Sequence, residues 1–188
     1  MSETQAAAAE KATQDIEREI GLKGGDQDQF LTFILGDETY GIDILRVQEI
    51  RGWESPTQLP NMPGYVKGVI NMRGAVVPII DMRERFNISK PTYDESTVVI
   101  VIHVNHRTEG SEMDVQKTIG LVVDGVSDVH DVNIDQLQHS PSFGDNKAVS
   151  EEYVRGLATL EEIMVIILNI DLLANQGIFN EVKHFKRH

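Results

Sequence analysis

Two short sequence words recur, in the same order, in the two halves of this chain. Gly41-Ile42 leading to Val47-Gln48-Glu49-Ile50 aligns without gaps on Gly120-Leu121 leading to Val126-Ser127-Asp128-Val129. Further on, Val66-Lys67-Gly68-Val69 precedes an apolar strand ending at Asp81. Val154-Arg155-Gly156-Leu157 precedes a slightly longer one ending at Asp171. The segments between are short apolar runs punctuated by Gly, Pro, Asn and Asp, the pattern of strands joined by turns. The expected fold is therefore all-β: two similar lobes, each a short-stranded barrel, packed side by side. Short connecting helices and a C-terminal helix complete it. With 40% of 188 residues hydrophobic, the chain has enough apolar surface for a proper core.

Residues 30–35 and 97–102 are apolar on both faces, as expected for strands buried on both sides. Asp43 is a turn or capping residue, and the alternation after it places Val47 and Glu49 on one strand face. The apolar runs Val69-Ile70 and Ala75 to Ile80 flank Asn71-Met72-Arg73-Gly74, which suits a type I turn closed by a left-handed glycine. Such a hairpin lifts Met72 and Arg73 to an exposed tip, a contact knob of two residue types enriched at interfaces. If that tip neighbours the 47–50 strand, Glu49 and Arg73 pair. The second half carries Glu161-Glu162 at the matching tip. Pro78 marks its strand as an edge or a bulge.

Residues 105–117 and 138–150 are polar and are expected as long exposed loops. Asp81 to Phe86 reads as a short helix or turn. Asp171 reads as the cap of the C-terminal helix, and Gly177 as its interruption. Residues 1 to about 27 have few large apolar side chains and are expected to form a flexible arm. Residues 28–175 would then be the folded unit and 176–188 a helical or flexible tail.

Composition excludes several function classes. Thirty acids against 17 bases give a net charge of −13, which disfavours binding to nucleic acid or anionic lipid. The absence of cysteine removes disulfides, thiolate metal sites and cysteine nucleophiles, and fits a cytoplasmic protein. The longest apolar run, Ile163 to Leu168, is strand-length, and no basic-then-apolar leader opens the chain. There is no phosphate loop, dinucleotide fingerprint, nucleophile elbow or HExxH helix. His103 and His106 have a spacing poorly suited to chelation from a strand. His184 and His188 stand one helical turn apart but lack a third ligand. Asp124, Asp128, Asp131 and Asp135 lack the calcium-loop pattern and read as a solvated acidic face. The expectation is no catalytic residue, no metal and no cofactor, with function carried by a protein-binding surface. A ligand-binding or hydrolytic barrel would instead need a concave site with converging titratable groups.

The segments GDETYGIDILRVQEIRG (36–52), KGVINMRGAVVPIIDMR (67–83) and TIGLVVDGVSDV (118–129) closely resemble the CheW-like family of bacterial chemotaxis adaptors. The stretch from Tyr153 to Leu173 is similar too, so the resemblance spans about Gln29 to Leu173. It implies two five-stranded SH3-like barrels around a shared core. It also implies a non-catalytic adaptor that couples transmembrane chemoreceptors to the histidine kinase CheA. Such adaptors bind the kinase regulatory domain and the receptor's cytoplasmic signalling tip. They are cytoplasmic and are recruited to the membrane's inner face through receptor arrays. By the same resemblance Val47, Glu49, Gly68 and Arg73 belong to the coupling surface. Met72 replaces the leucine of the family's usual Asn-Leu-Arg-Gly tip. Thr97, Gly120 and Gly156 also match family positions, where turn and packing geometry are alternative roles. The 105–117 loop is longer than in a typical adaptor, so it would block or add a contact within an array. An adaptor of a different, non-motility array is the alternative reading.

Overall fold

The computed structural model describes residues 27–88, 91–108, 110–139 and 150–186. The expected arm up to residue 26, most of the 138–150 loop, and His188 lie outside them. Among the described residues ten strands form: β1 Gln27–Leu35, β2 Glu38–Asp43, β3 Val47–Gly52, β4 Val66–Met72, β5 Ala75–Asp81, β6 Val98–Arg107, β7 Asp114–Val123, β8 Gly125–Asn133, β9 Val154–Leu160 and β10 Ile163–Leu168. Helix α1, Met82–Arg85, follows β5. After β10 come α2, Ile170–Ala174, a π-type turn over Asn175–Phe179, and α3, Asn180–Lys186.

The strands make two five-stranded mixed sheets, ordered β8-β1-β2-β10-β9 and β3-β6-β7-β5-β4. Replacing each strand of the first sheet by its partner five places along the chain reproduces the second. The repeat is therefore real at the level of topology, but the lobes do not follow the halves of the chain. Each half gives two strands to one sheet and three to the other. The halves meet twice inside each sheet, at a parallel pair (β2–β10 or β5–β7) and at an antiparallel pair (β1–β8 or β3–β6), and all other pairings are antiparallel.

Hydrogen bonds carry the repeat further than the sequence words. The Asp81 N–H donates to the Tyr65 carbonyl at 2.8 Å, and the Asn169 N–H donates to the Tyr153 carbonyl at 2.8 Å. Thr57 pairs with Val69 as Gln138 pairs with Leu157. The counterpart of Asp81 is thus Asn169, the same thirteen residues beyond its glycine, and the expected difference in length disappears. Asn169, not Asp171, caps α2 by accepting the Leu172 N–H at 3.1 Å, as Asp81 caps α1.

Strands buried on both faces require a core on each side, and three apolar clusters supply them. The largest lies between the sheets and joins Phe33, Tyr40 and Ile42 of one to Ile100, Ile119 and Leu121 of the other. A second, on the outer face of the β6 sheet, gathers Met72, Val77, Ile79, Val99, Val101 and Val122. The third, around Phe30, Val132 and Ile167, serves the β1 sheet.

Two local expectations are corrected. β5 lies inside its sheet, not at an edge; Pro78 is tolerated because β7 pairs only with Ile79–Asp81. Residues 105–117 are mostly strand: β6 and β7 stay paired out to Arg107 and Asp114, leaving 108–113 between them. Gly177 interrupts the α-helix as expected: it lies within the π-type turn Asn175–Phe179 that separates α2 from α3. The π-type turn exposes its carbonyl, which accepts the Arg85 Nε–H at 2.8 Å.

A candidate partner-binding surface

The register of β4 on β5 pairs Met72 with Ala75, so the hairpin loop is Arg73-Gly74 alone. Both loop residues have positive φ, 53° and 86°. That is the primed turn favoured between twisted strands, one residue later and tighter than the type I turn expected. The Asn71 side chain accepts the Gly74 N–H at 3.0 Å and closes it. Shortening the loop returns Met72 to the strand, where it is 8% exposed and packs among Val77, Ile79 and Val101. Met72 is therefore core, not part of an exposed knob. Arg73 alone stands out, its side chain 81% exposed.

Arg73 is steered by its neighbour. Its Nη2 lies 3.4 Å from Glu49 Oε2, as the sequence suggested, and Arg51 approaches the other Glu49 oxygen at 3.8 Å. The expectation that Val47 and Glu49 share a face is overturned by a register shift between them. Val47 pairs with Ile102 and Glu49 with Val101, residues on opposite faces of β6. The bulge sends Val47 toward the shared core and Glu49 toward the Arg73 side.

The remaining candidates are buried or backbone features. Thr97 is buried; its hydroxyl accepts the Asp94 N–H, and its carbonyl accepts the Trp53 N–H. Gly68 has φ 136°, and a Cβ there would lie 2.1 Å from the Thr57 carbonyl oxygen. At Gly156 a Cβ would meet Leu137 Cβ at 2.8 Å, and at Gly120 it would meet Ile79 Cδ1 at 2.6 Å. At the three glycines the chain packs too closely to admit a Cβ without a shift.

Sequence reasoning missed several exposed apolar side chains. Leu45 is 83% exposed on the turn Ile44–Arg46, where Asp43 accepts its N–H. Val76, three residues beyond Arg73, and Ile50 on β3 are exposed as well. The capping aspartate was the available signal, because a three-residue turn cannot bury each of its side chains. On the β9–β10 hairpin Glu161 and Glu162 also take positive φ, 48° and 76°, beside exposed Ile163 and Met164.

No group of three metal-ligating side chains occurs among the described residues. His106 turns its Nδ1 to Asn175 Oδ1 at 2.6 Å. The Asn175 amide already donates to two carbonyls, so the histidine is the donor. A cavity of about 460 Å³ opens between β8 and β9, with Val132, Leu157 and Ala158 in its wall. Asp131 is its one titratable lining residue, so acid–base groups do not converge there.

The model of the CheW-like domain family matches residues 29–177. The chemotaxis protein CheW of Klebsiella aerogenes is 46% identical over 145 residues, covering 77% of this chain and 80% of that protein. The chemotaxis protein CheW of Rhizobium meliloti is 33% identical over 143 residues, 76% of this chain and 84% of that protein. The crystal structure of the scaffolding protein TtCheW from Thermoanaerobacter tengcongensis superposes with a TM-score of 0.65 at 28% identity. It covers 78% of this chain and 87% of that one.

Proposed function

The chain belongs to the CheW-like domain family, a family of non-catalytic chemotaxis adaptors, and on that premise we propose that it couples transmembrane chemoreceptors to the histidine kinase CheA. Each five-stranded sheet serves as one SH3-like barrel lobe of a domain spanning residues 28–175. The lobes offer distinct surfaces to the kinase regulatory domain and to the receptor's cytoplasmic signalling tip. The protein works in the cytoplasm, held at the membrane through its receptors.

The observation that carries this reading is the Arg73 tip. A permanent cation, 81% exposed, is held on a two-residue turn with Glu49 3.4 Å away. A short turn and an ion-pair neighbour restrict the guanidinium without burying it, so it meets a partner with little ordering left to do. Leu45 and Val76 add apolar area. Val47, Gly68, Met72, Thr97 and Gly120 act from beneath, by fixing the sheet that presents Arg73 and Val76, and Gly156 fixes β9 in the other lobe.

The mechanism is positional. A receptor whose two states contact the adaptor and kinase differently shifts the kinase between active and inactive populations. Repeated modest contacts across an array sum to a strong one.

Kinase autophosphorylation with purified CheA and receptor membranes tests the reading. The protein is expected to bring the kinase under receptor control, and the Arg73→Glu variant to lose that control while melting at the same temperature. If neither protein alters the kinase although both are folded, coupling to these partners is refuted and a different sensory array becomes the target.

A further inference from the structure

Strand β3 pairs with β6 only as far as Val47 and Ile102, while β6 continues to Arg107. The Asn105 N–H, beyond that point, finds its acceptor in Asp171 Oδ1 at 2.9 Å. The other oxygen of the same carboxylate accepts from Arg46 Nη2 at 2.5 Å. Both side chains of this ion pair are largely shielded, 26% and 30% exposed. Arg46 is the residue directly before Val47. One carboxylate on α2 therefore closes the sheet edge and clamps the point where β3 begins.

That point matters because a bulge follows at once. A bulged strand has one residue unpaired, so its register depends on what holds its two ends. The far end of β3 is held by the Gly52–Val98 pair and by the Trp53 N–H on the Thr97 carbonyl at 3.1 Å. The near end is held by Arg46 on Asp171. Slippage by one residue would turn Glu49 away from Arg73 and expose Val47.

The repeat uses the same device twice. In the first half, Arg83, second residue of α1, pairs with Asp124 at 3.0 Å, where the chain crosses from β7 to β8. In the second half, Asp171, second residue of α2, pairs with Arg46 where the chain crosses from β2 to β3. Both crossings between sheets are tied to the helix after a hairpin, with the charges exchanged. From this geometry we infer that Asp171 is a positioning residue for the Glu49–Arg73 surface, acting through Arg46. The inference rests on that surface being the coupling surface.

The test uses the full chain and measures affinity for the kinase regulatory domain and for a receptor signalling fragment. Arg73→Glu identifies which partner reads the surface. For that partner, Asp171→Ala and Arg46→Ala are each expected to weaken binding about threefold to tenfold. The Arg46→Ala/Asp171→Ala double variant should be no weaker than the worse single. The binding cycle of Glu49→Ala with Arg73→Ala should show coupling in the parent and additivity in Asp171→Ala, a change that general destabilisation does not produce. If Asp171→Ala does not fold, Arg46→Ala carries the same cycle with the Asn105 contact intact. An effect of Arg73→Glu combined with parental affinity and an unchanged cycle in the clamp variants overturns the positioning role alone. No effect of Arg73→Glu on either partner overturns the coupling reading, and the inference with it.

Discussion

Gly120 faces Ile79 across the parallel β5–β7 pair so closely that a Cβ on the glycine would sit 2.6 Å from the isoleucine Cδ1. Gly41 repeats this against Ile167 at 2.8 Å, across the parallel β2–β10 pair. Both glycines therefore stand where the two halves of the chain join within a sheet. The atoms a new Cβ would meet at Gly120 belong to Ile79 and Val99, both buried, so they have little room to give. Gly120→Ala should destabilise the fold by about 1–3 kcal/mol through overpacking. Urea unfolding against Gly52→Ala, whose Cβ meets nothing within 4 Å, checks this. Equal losses in the two variants would refute the packing argument.

Met72 makes a second case. Burial among Val77, Ile79 and Val101 predicts that Met72→Ala loses about 2–4 kcal/mol. Met72→Leu, which restores the family's usual tip sequence, should change stability by less than about 1.5 kcal/mol. An exposed tip residue would tolerate both, so a small loss for alanine would return Met72 to the surface.

The ion pair at the tip is a matter of placement. In a stability cycle, Glu49→Ala and Arg73→Ala should couple by no more than about 1 kcal/mol, because Arg73 is solvated. The coupling should fall at high salt. Strict additivity at low salt would remove the pair from solution.

The acidic hairpin holds two non-glycine residues at positive φ. Replacing Glu161→Asn and Glu162→Gly gives the primed turn its preferred residues and should stabilise by about 1 kcal/mol. Thermal unfolding reads the gain, and an unchanged or lower midpoint would show that the turn carries no strain.

Acid stability turns on Asp81. Burial alone would raise its carboxyl, but hydrogen bonds from Arg83 and Tyr93, together with the Arg83 charge, outweigh it and hold it below the ordinary range. Its pKa is therefore lower folded than unfolded. The stabilisation is present above the unfolded value, about 3.9, and is lost as pH falls through the folded one. Asp81→Asn should be about 3 kcal/mol less stable at pH 7, since it leaves Arg83 poorly paired. The deficit should shrink toward pH 3. A deficit that is constant with pH would exclude Asp81 from the acid transition.

What the chain's own letters revealed, and what they hid, divides along a physical line. Strand positions, the repeat and Arg73 were legible because they depend on local polarity and turn chemistry. Val47 and Glu49 were misplaced because a bulge breaks period-two alternation without leaving a mark on residue types. Residues 105–117 read as loop because their strands extend past the core, where pairing survives with little apolar surface to bury. Asp171 was taken for the cap in place of Asn169. Both residue types suit the role, and only the folded contacts distinguish them: Asn169 accepts the Leu172 N–H, while the Asp171 carboxylate turns to Arg46 and Asn105. Which half supplies which strand was out of reach, since adjacency in a sheet is set by the whole chain.

That shared ownership of the sheets has a kinetic consequence. When the first half leaves the ribosome, β1 and β2 have each other but lack β8 and β10, their outer partners. β3 likewise waits for β6, and the β4–β5 hairpin waits for β7. Neither half is a unit that closes early, so folding must await nearly the full chain and bring together segments about a hundred residues apart. Such distant closure is slow and leaves strand edges open meanwhile. A chain cut between β5 and β6 should therefore yield fragments that fold only when mixed.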